Sequence, residues 1–448
     1  MTLPRVICQP GADQPAGPAA GFSPTRMMDV ELATPLPSLP WDGRCRQVWV
    51  TARLYTEPIG GCLIQLGSGG LTPSQLGALV WAEVAAPVRH RFTAAGLPAP
   101  AGIGAGGLSA DPGSWPFLCE RQAVLAAAPL ISVVIATRDR ADQLARALGQ
   151  LNGQHYPRFE AIVVENVPTG AAVRQLTAAQ PAHIPYRYLA EPRSGLSWAR
   201  NTGIAAATGQ IVTFLDDDAE PDPYWLASLA TGFARSPDVG CVTGIILPAV
   251  LDTLAQELFE QLGGHSKGRA FEKMTFTRHG PQSPCFPLPA FGAGANMAFR
   301  RQTLEKIGGM DVALGAGTPT LGGADTLALT LTLLSGYHIA YEPAALMRHH
   351  HRRDLPSLDK QLYGYSVGLT AYYTALLRHH PSAIRHVLAA LPHAAHYLRT
   401  AAKDAPADTA RPLAAVDKRN RHGMLTGPLA YARSSRIQNR ARRAFTNS

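Results

Sequence analysis

The stretch IVTFLDDDAEPDPYWL, Ile211 to Leu226, sets five residues suited to a buried strand directly before Asp216, Asp217 and Asp218. Adjacent carboxylates repel one another, so a cation or a set of donors must lie nearby to hold them together. Two readings meet that demand. One is a solvated turn in which an aspartate caps a helix. The other is a site for a hard divalent cation, Mg2+ or Mn2+, which prefers carboxylate oxygens. The cation site is favoured, because ligands of parallel sheets gather at the carboxyl ends of the strands. Two other apolar runs end in similar polar clusters, Thr137-Arg138-Asp139 and Glu165-Asn166. His349, His350 and His351 add imidazoles. Consecutive residues of an extended segment alternate sides, so at most two of the three can share a site. Gly102, Gly104 and Gly107 match a dinucleotide-binding pattern, but no strand precedes them and no helix follows, so a linker is expected there.

The segments ISVVIATRDRADQLARAL, FEAIVVEN, GLSWARNTGIAAATG and FLDDDAEPDPYWL together resemble family 2 glycosyltransferases, inverting enzymes of the GT-A fold, over about residues 130 to 355. The resemblance implies a nucleotide-diphosphate sugar as donor and a carbohydrate or lipid-linked acceptor. It makes Asp218 the first choice for the metal, with Asp216 beside it, and places Asp216 and Asp217 around the nucleotide. Thr137 and Arg138 fall where the family's first strand meets the base. Glu165 stands at an acidic position that contacts base or ribose, and Arg200 and Asn201 look like the helix residues that close over the nucleotide. His349 or His351 is the histidine that completes the metal or diphosphate site. FGAGANMAFRRQTLEKIGGMD resembles the acceptor-side segment, and Asp325 aligns with the general base, which must reach the acceptor hydroxyl and stay ionised. An aspartate at that point is also a common helix N-cap. The acceptor half departs from the family pattern: an expected Glu is Ala324, an acidic position is Leu327 and a helix arginine is Thr330. A catalytically silent nucleotide-sugar-binding or scaffold protein on the same fold is therefore the alternative.

Elements to position these residues follow from the periodicity. Continuous apolar runs at LISVVIATR, FEAIVVENVP and QIVTFL, with a weaker one at IPYRYLAEP, read as strands of a mainly parallel sheet. They alternate with helical patterns at DQLARALGQL and from Ser194 to Gly209, which gives an α/β domain at 129–355. Residues 1–40, rich in Pro, Gly and Ala, read as a flexible leader. Residues 41–96 read as a small α+β module, with Val48, Val50, Ala52 and Leu54 on one strand face and a helix opened by Thr72, Pro73 and Gln75. A Gly/Pro-rich linker is expected at 97–128, a helical region at 356–410 and a basic tail at 411–448.

The 448 residues allow two or three domains, and 46% apolar residues suit a soluble globular enzyme. Six cysteines without a C-x-x-C pair suggest neither zinc ribbon nor disulfide framework, and a reducing cytosol fits them. No run of about 18 apolar residues offers a membrane span. A net charge of +9, concentrated in the tail, is compatible with peripheral contact at the inner face of the plasma membrane. Nucleic acid is not expected, since no reading motif accompanies the basic run.

Overall fold

The computed structural model describes residues 6–7, 22–108, 115–266, 269–280, 291–385, 387–388 and 410–446. The N-terminal part is a four-stranded sheet of β1 (Val6–Ile7), β2 (Thr25–Glu31), β3 (Gln47–Leu54) and β4 (Glu57–Gln65), in the order β1-β4-β3-β2. Its inner face buries Val48, Val50, Ala52 and Leu54 against α1 (Pro73–Ala94). Thr72 caps that helix in a reciprocal capping box with Gln75, and Pro87 sits inside it. The leader expectation fails for residues 22–40, because β2 pairs in parallel with β3 through seven registered residues. The linker expectation is corrected at its C-terminal end. Trp115 is fully buried among Tyr55, Phe92 and Phe117, and Pro116 then opens α2 (Pro116–Ala127). The glycine pattern at 102–107 closes a tight turn through the Gly104–Gly107 bridge, where the left-handed Gly107 lies against the Leu32 and Thr34 carbonyls.

The second sheet carries the site. In chain order it is built from β5 (Ile131–Thr137), α3 (Ala141–Asn152), β6 (Phe159–Asn166), α4 (Ala172–Ala178), β7 (Tyr186–Glu191), α5 (Leu196–Ala206), β8 (Ile211–Asp216), β9 (Ala219–Pro221), α6 (Trp225–Ala234), β10 (Val239–Pro248), α7 (Leu254–Gln261), β11 (Met274–Phe276), β12 (Met297–Arg300), α8 (Arg301–Ile307), α9 (Ala324–Leu334) and β13 (His338–His349). Strands β8, β5, β6 and β7 run parallel, as the apolar runs predict; the side chains of β8, β5 and β6 are nearly all buried, whereas β7 at the sheet's edge is only partly covered. The order continues from β8 through an antiparallel β12 to β10, β13 and β11. The sheet is therefore α/β and mixed, with its parallel half bearing the aspartates. Helix α5 stops at Ala206 rather than Gly209, whose amide instead donates to Ser132 Oγ.

Two long helices follow, α10 (Leu355–His379) and α11 (Ala410–Thr446). The second replaces the expected basic tail. It forms because its small residues fit α10: a Cβ on Gly427 would overlap Thr370 Oγ1, and one on Gly423 would press on Tyr363 and Ser366. Tyr431 donates to Asp311, and Gln438 accepts from the buried indole of Trp198 on α5. No helix among the described residues is long and apolar enough to cross a membrane.

The two sheets are joined by charge. Arg53 of β3 binds Asp222 at 2.6 Å and Asp29 at 2.9 Å, and Arg348 of β13 also reaches Asp29. Asp222 is almost fully buried whereas Asp29 is 38% exposed. Removing one member of a buried pair strands the other charge, at about 3–5 kcal/mol, whereas exposed pairs contribute about 1 kcal/mol or less. Urea unfolding is accordingly expected to show Arg53→Ala losing about 3 kcal/mol and Asp29→Ala about 1 kcal/mol or less; equal losses would mean that the junction does not depend on Asp222.

Candidate active site

Strand register delivers the acidic cluster. Asp216 ends β8 opposite Ala136 of β5, and Thr137 of β5 stands opposite Glu165 of β6, so the three polar ends share one sheet edge. The chain then turns through Asp217 and Asp218 into β9, which pairs antiparallel with the end of β13 and sets Ala219 opposite His349. The His350 amide donates to the Asp218 carbonyl at 2.9 Å, fixing the turn. His349 and His351 face inward and are buried, while His350 turns away to Glu220 at 2.6 Å, the alternation expected of an extended segment.

The compensation demanded by three aspartates is supplied by four cationic or potentially cationic groups. Asp218 lies 3.2 Å from His349 Nε2, 3.5 Å from Arg140 and 3.7 Å from Arg352. Burial alone would raise its carboxyl, but His349 and the two guanidiniums hold it well below the usual carboxylate range. Burial would likewise lower His349, yet Asp218 and then Asp216 hold its imidazole above the ordinary value. Asp217 accepts from Thr137 Oγ1 at 2.8 Å and pairs with Arg140 at 3.1 Å. Burial and the neighbouring Asp218 still push it up to about 6. Asp216 is raised by burial despite an ion pair with Arg200 at 2.9 Å.

Arg200 links the two halves of the cleft. Its guanidinium is 4% exposed, lies over the Phe214 ring, and donates both to Asp216 and to the Gly294 carbonyl at 3.1 Å. The Gly294 amide in turn donates to Asp325 Oδ2 at 2.9 Å. Only glycine permits this approach, since a Cβ at 294 would stand 2.8 Å from that oxygen. Asp325 is not the N-cap: Gly323, in the left-handed region, caps α9, and Asp325 sits in the first turn with its carboxylate turned to Gly294. Asn201 binds the loop after α8, through the Met310 amide and carbonyl.

The altered positions on α9 have a packing reason. Ala324 and Leu327 are buried in a cluster with Ala371, Tyr372 and Ala375 of α10 and Tyr431 of α11, and Thr330 Oγ1 meets Tyr372 OH at 3.0 Å. Charged side chains there would be buried under these helices.

Arg138 does not join the cluster. It is half exposed and 3.9 Å from Asp139, and the cation facing the aspartates is Arg140, at the start of α3. Glu165 is buried and accepts from Tyr188 OH at 2.6 Å. Arg140 and Arg352 were missed because single arginines beside a motif carry no sequence signal. On α10, burial of the Tyr365 hydroxyl pushes it up to about 12, with Asp325 and Asp218 adding to the effect, although 41% of the residue is exposed.

A divalent cation fits this chemistry. Asp216, Asp218 and His349 each offer a ligand atom, all within 4.8 Å of one another. Two carboxylates and an imidazole suit Mn2+ or Mg2+ completed by oxygens from outside the protein.

Part of this site lies in a segment that is similar to a known family. Residues 132–308 match the family model of glycosyl transferase family 2. A pre-mycofactocin glycosyltransferase of Mycobacterium tuberculosis is 29% identical over 243 residues, 53% of this chain and 46% of that protein. A glucosyl-dolichyl phosphate glucuronosyltransferase of Haloferax volcanii is 26% identical over 125 residues, 27% of this chain and 36% of that protein. The chain thus spans less than half the length of these curated relatives. A mannosyltransferase structure from Pyrobaculum calidifontis, in complex with GDP-Man and Mn2+, is 22% identical, covering 72% of this chain and 95% of that one at a TM-score of 0.43, a likeness too slight to argue from. The aspartates, Arg200 and the glycine-rich segment all lie inside the residues that match glycosyl transferase family 2.

Proposed function

We propose that the chain transfers a sugar from a nucleotide-diphosphate donor to a hydroxyl of a carbohydrate or lipid-linked acceptor, with inversion and with a divalent cation. The observation that carries this reading is the convergence of Asp216, Asp218 and His349 within 4.8 Å at the rim of the mixed sheet where its parallel strands end. Asp218, Asp216 and His349 would hold the cation, which when bound would neutralise the diphosphate leaving group. Arg140 and Arg352, each 39% exposed, face the same edge and would pair with phosphate oxygens. Thr137, Asp217 and Glu165 line the neighbouring strand ends, where the nucleoside would lie.

Asp325 would be the base. Its Oδ2 is occupied by the Gly294 amide, which fixes the carboxylate and leaves Oδ1 to accept the acceptor's proton. In a single displacement the acceptor oxygen bonds to the anomeric carbon as the bond to the diphosphate breaks, and the proton passes to Asp325. The alternative, a silent binding protein, draws on Ala324, Leu327 and Thr330; their burial under α10 offers a packing reason that leaves Asp325 in place. Peripheral contact with an anionic leaflet belongs to the same proposal, since α11 exposes Leu425 (78%) and Leu429 (76%) beside Arg433 and Arg436.

With Mn2+ and a panel of nucleotide sugars, Asp218→Ala is expected to abolish transfer in a protein that still folds by circular dichroism, and Asp325→Asn to keep donor affinity while turnover falls about 10²–10⁴-fold. Donor hydrolysis or transfer surviving in both variants at the wild-type rate would sink the assignments, and none in the wild type would favour the silent reading. Asp217 also gives a pH test. A carboxyl raised to about 6 in the fold binds more protons folded than unfolded between its ordinary value of 3.8 and about 6, so its contribution to stability falls as pH rises through that window. Asp217→Asn is expected to stabilise the ligand-free protein at pH 7 by about 1–3 kcal/mol and to flatten that slope; no change in either would refute the raised pKa. Vesicle sedimentation should show binding to anionic but not neutral lipid, lost in the Leu425→Glu, Leu429→Glu double variant; identical binding by the variant would remove α11 from that role.

A further inference from the structure

The inward-facing histidines of β13 open onto a second cluster behind the acidic one. His351 Nδ1 lies 3.4 Å from His349 Nδ1, and ligand atoms of His265, His349 and His351 lie within 4.8 Å of one another. His265, in the loop after α7, packs its ring 4.4 Å from that of His349 and 5.4 Å from that of His351, centroid to centroid. Phe259 stands edge-on to His265 and His351, giving the cluster an apolar wall.

The far nitrogens decide what the near ones offer. His351 Nε2 lies 2.8 Å from Glu260 Oε1, and His349 Nε2 lies 3.2 Å from Asp218 Oδ1. An ionised carboxylate can only accept, so each imidazole gives its Nε2–H and turns the Nδ1 lone pair toward the other ring. Two lone pairs at 3.4 Å are compatible only with a positive charge between or beside them. A proton is one candidate. A tetrahedral Zn2+ is the other: with Zn–N bonds of about 2.0–2.1 Å, its ligand nitrogens stand about 3.3–3.4 Å apart, the separation found here. A carboxylate behind each ligating imidazole is also the usual support of a zinc-bound histidine.

We propose that His265, His349 and His351 form a second metal site, for a borderline cation such as Zn2+, with Glu260 and Asp218 orienting two of the ligands. His349 belongs to both triads, and a neutral imidazole has one lone pair. Zn2+ on Nδ1 therefore withdraws His349 from the carboxylate site and antagonises the harder cation. That antagonism rests on the donor-site reading, whereas the binding itself does not.

The test uses the full chain, stripped of metal and without donor. Zn2+ affinity is measured by competition with a chromogenic chelator, and Co2+ is titrated while visible absorption reports its geometry. One equivalent of Zn2+ and a tetrahedral Co2+ spectrum are expected. His265→Ala and His351→Ala should each weaken binding at least about tenfold, Glu260→Gln about 10–100-fold, and Asp216→Ala not at all. His265 is only partly buried, so its variant decides the matter should His351→Ala fail to fold. Absence of Zn2+ binding, or binding that survives both histidine variants or is lost with Asp216→Ala, would overturn the site.

Discussion

The crowding of three successive carboxylates into one turn, two of them buried, is the constraint around which this half of the chain is arranged. Asp217 and Asp218 are each less than 10% exposed, and no fold could hold them so without opposite charge brought in from elsewhere. The partners come from four separate elements: Arg140 from the start of α3, Arg200 from α5, His349 from β13 and Arg352 from the segment after it. The compensation is uneven. It holds Asp218 well below the usual carboxylate range and pushes Asp217 up to about 6, so identical side chains side by side differ in acidity.

The same network joins the acidic turn to the glycine-rich segment and α9. Arg200 touches Asp216 and the Gly294 carbonyl, and the amide of Gly294 holds Asp325, so the acidic turn is connected to Asp325 through one arginine and one glycine. The small N-terminal sheet supports the other flank. Arg53 grips Asp222 just beyond β9, and Arg348, on the face of β13 opposite His349, reaches Asp29.

Much of this was legible in the residue pattern. The buried parallel strands announced themselves as unbroken apolar runs, and the alternation of His349 to His351 followed from strand geometry alone. What escaped was non-local. β2 has little alternation of its own and is a strand because β3 pairs with it. α11 reads as a basic run, and becomes ordered through glycines that fit one particular partner helix. Arg138 stood in the expected place, but the turn after β5 directs Arg140 to the aspartates instead. Ala324, Leu327 and Thr330 looked like lost chemistry; their surroundings are the covering helices, which sequence spacing along α9 could not reveal.

The pairing of β9 with β13 has a thermodynamic corollary for ligand capture. Because backbone hydrogen bonds of the sheet already join the turn bearing Asp218 to the strand bearing His349, the conformational freedom of both was surrendered when the chain folded. A ligand bound at that turn would meet a rim already ordered rather than a loop to be ordered, so more of its contact energy would be left for affinity.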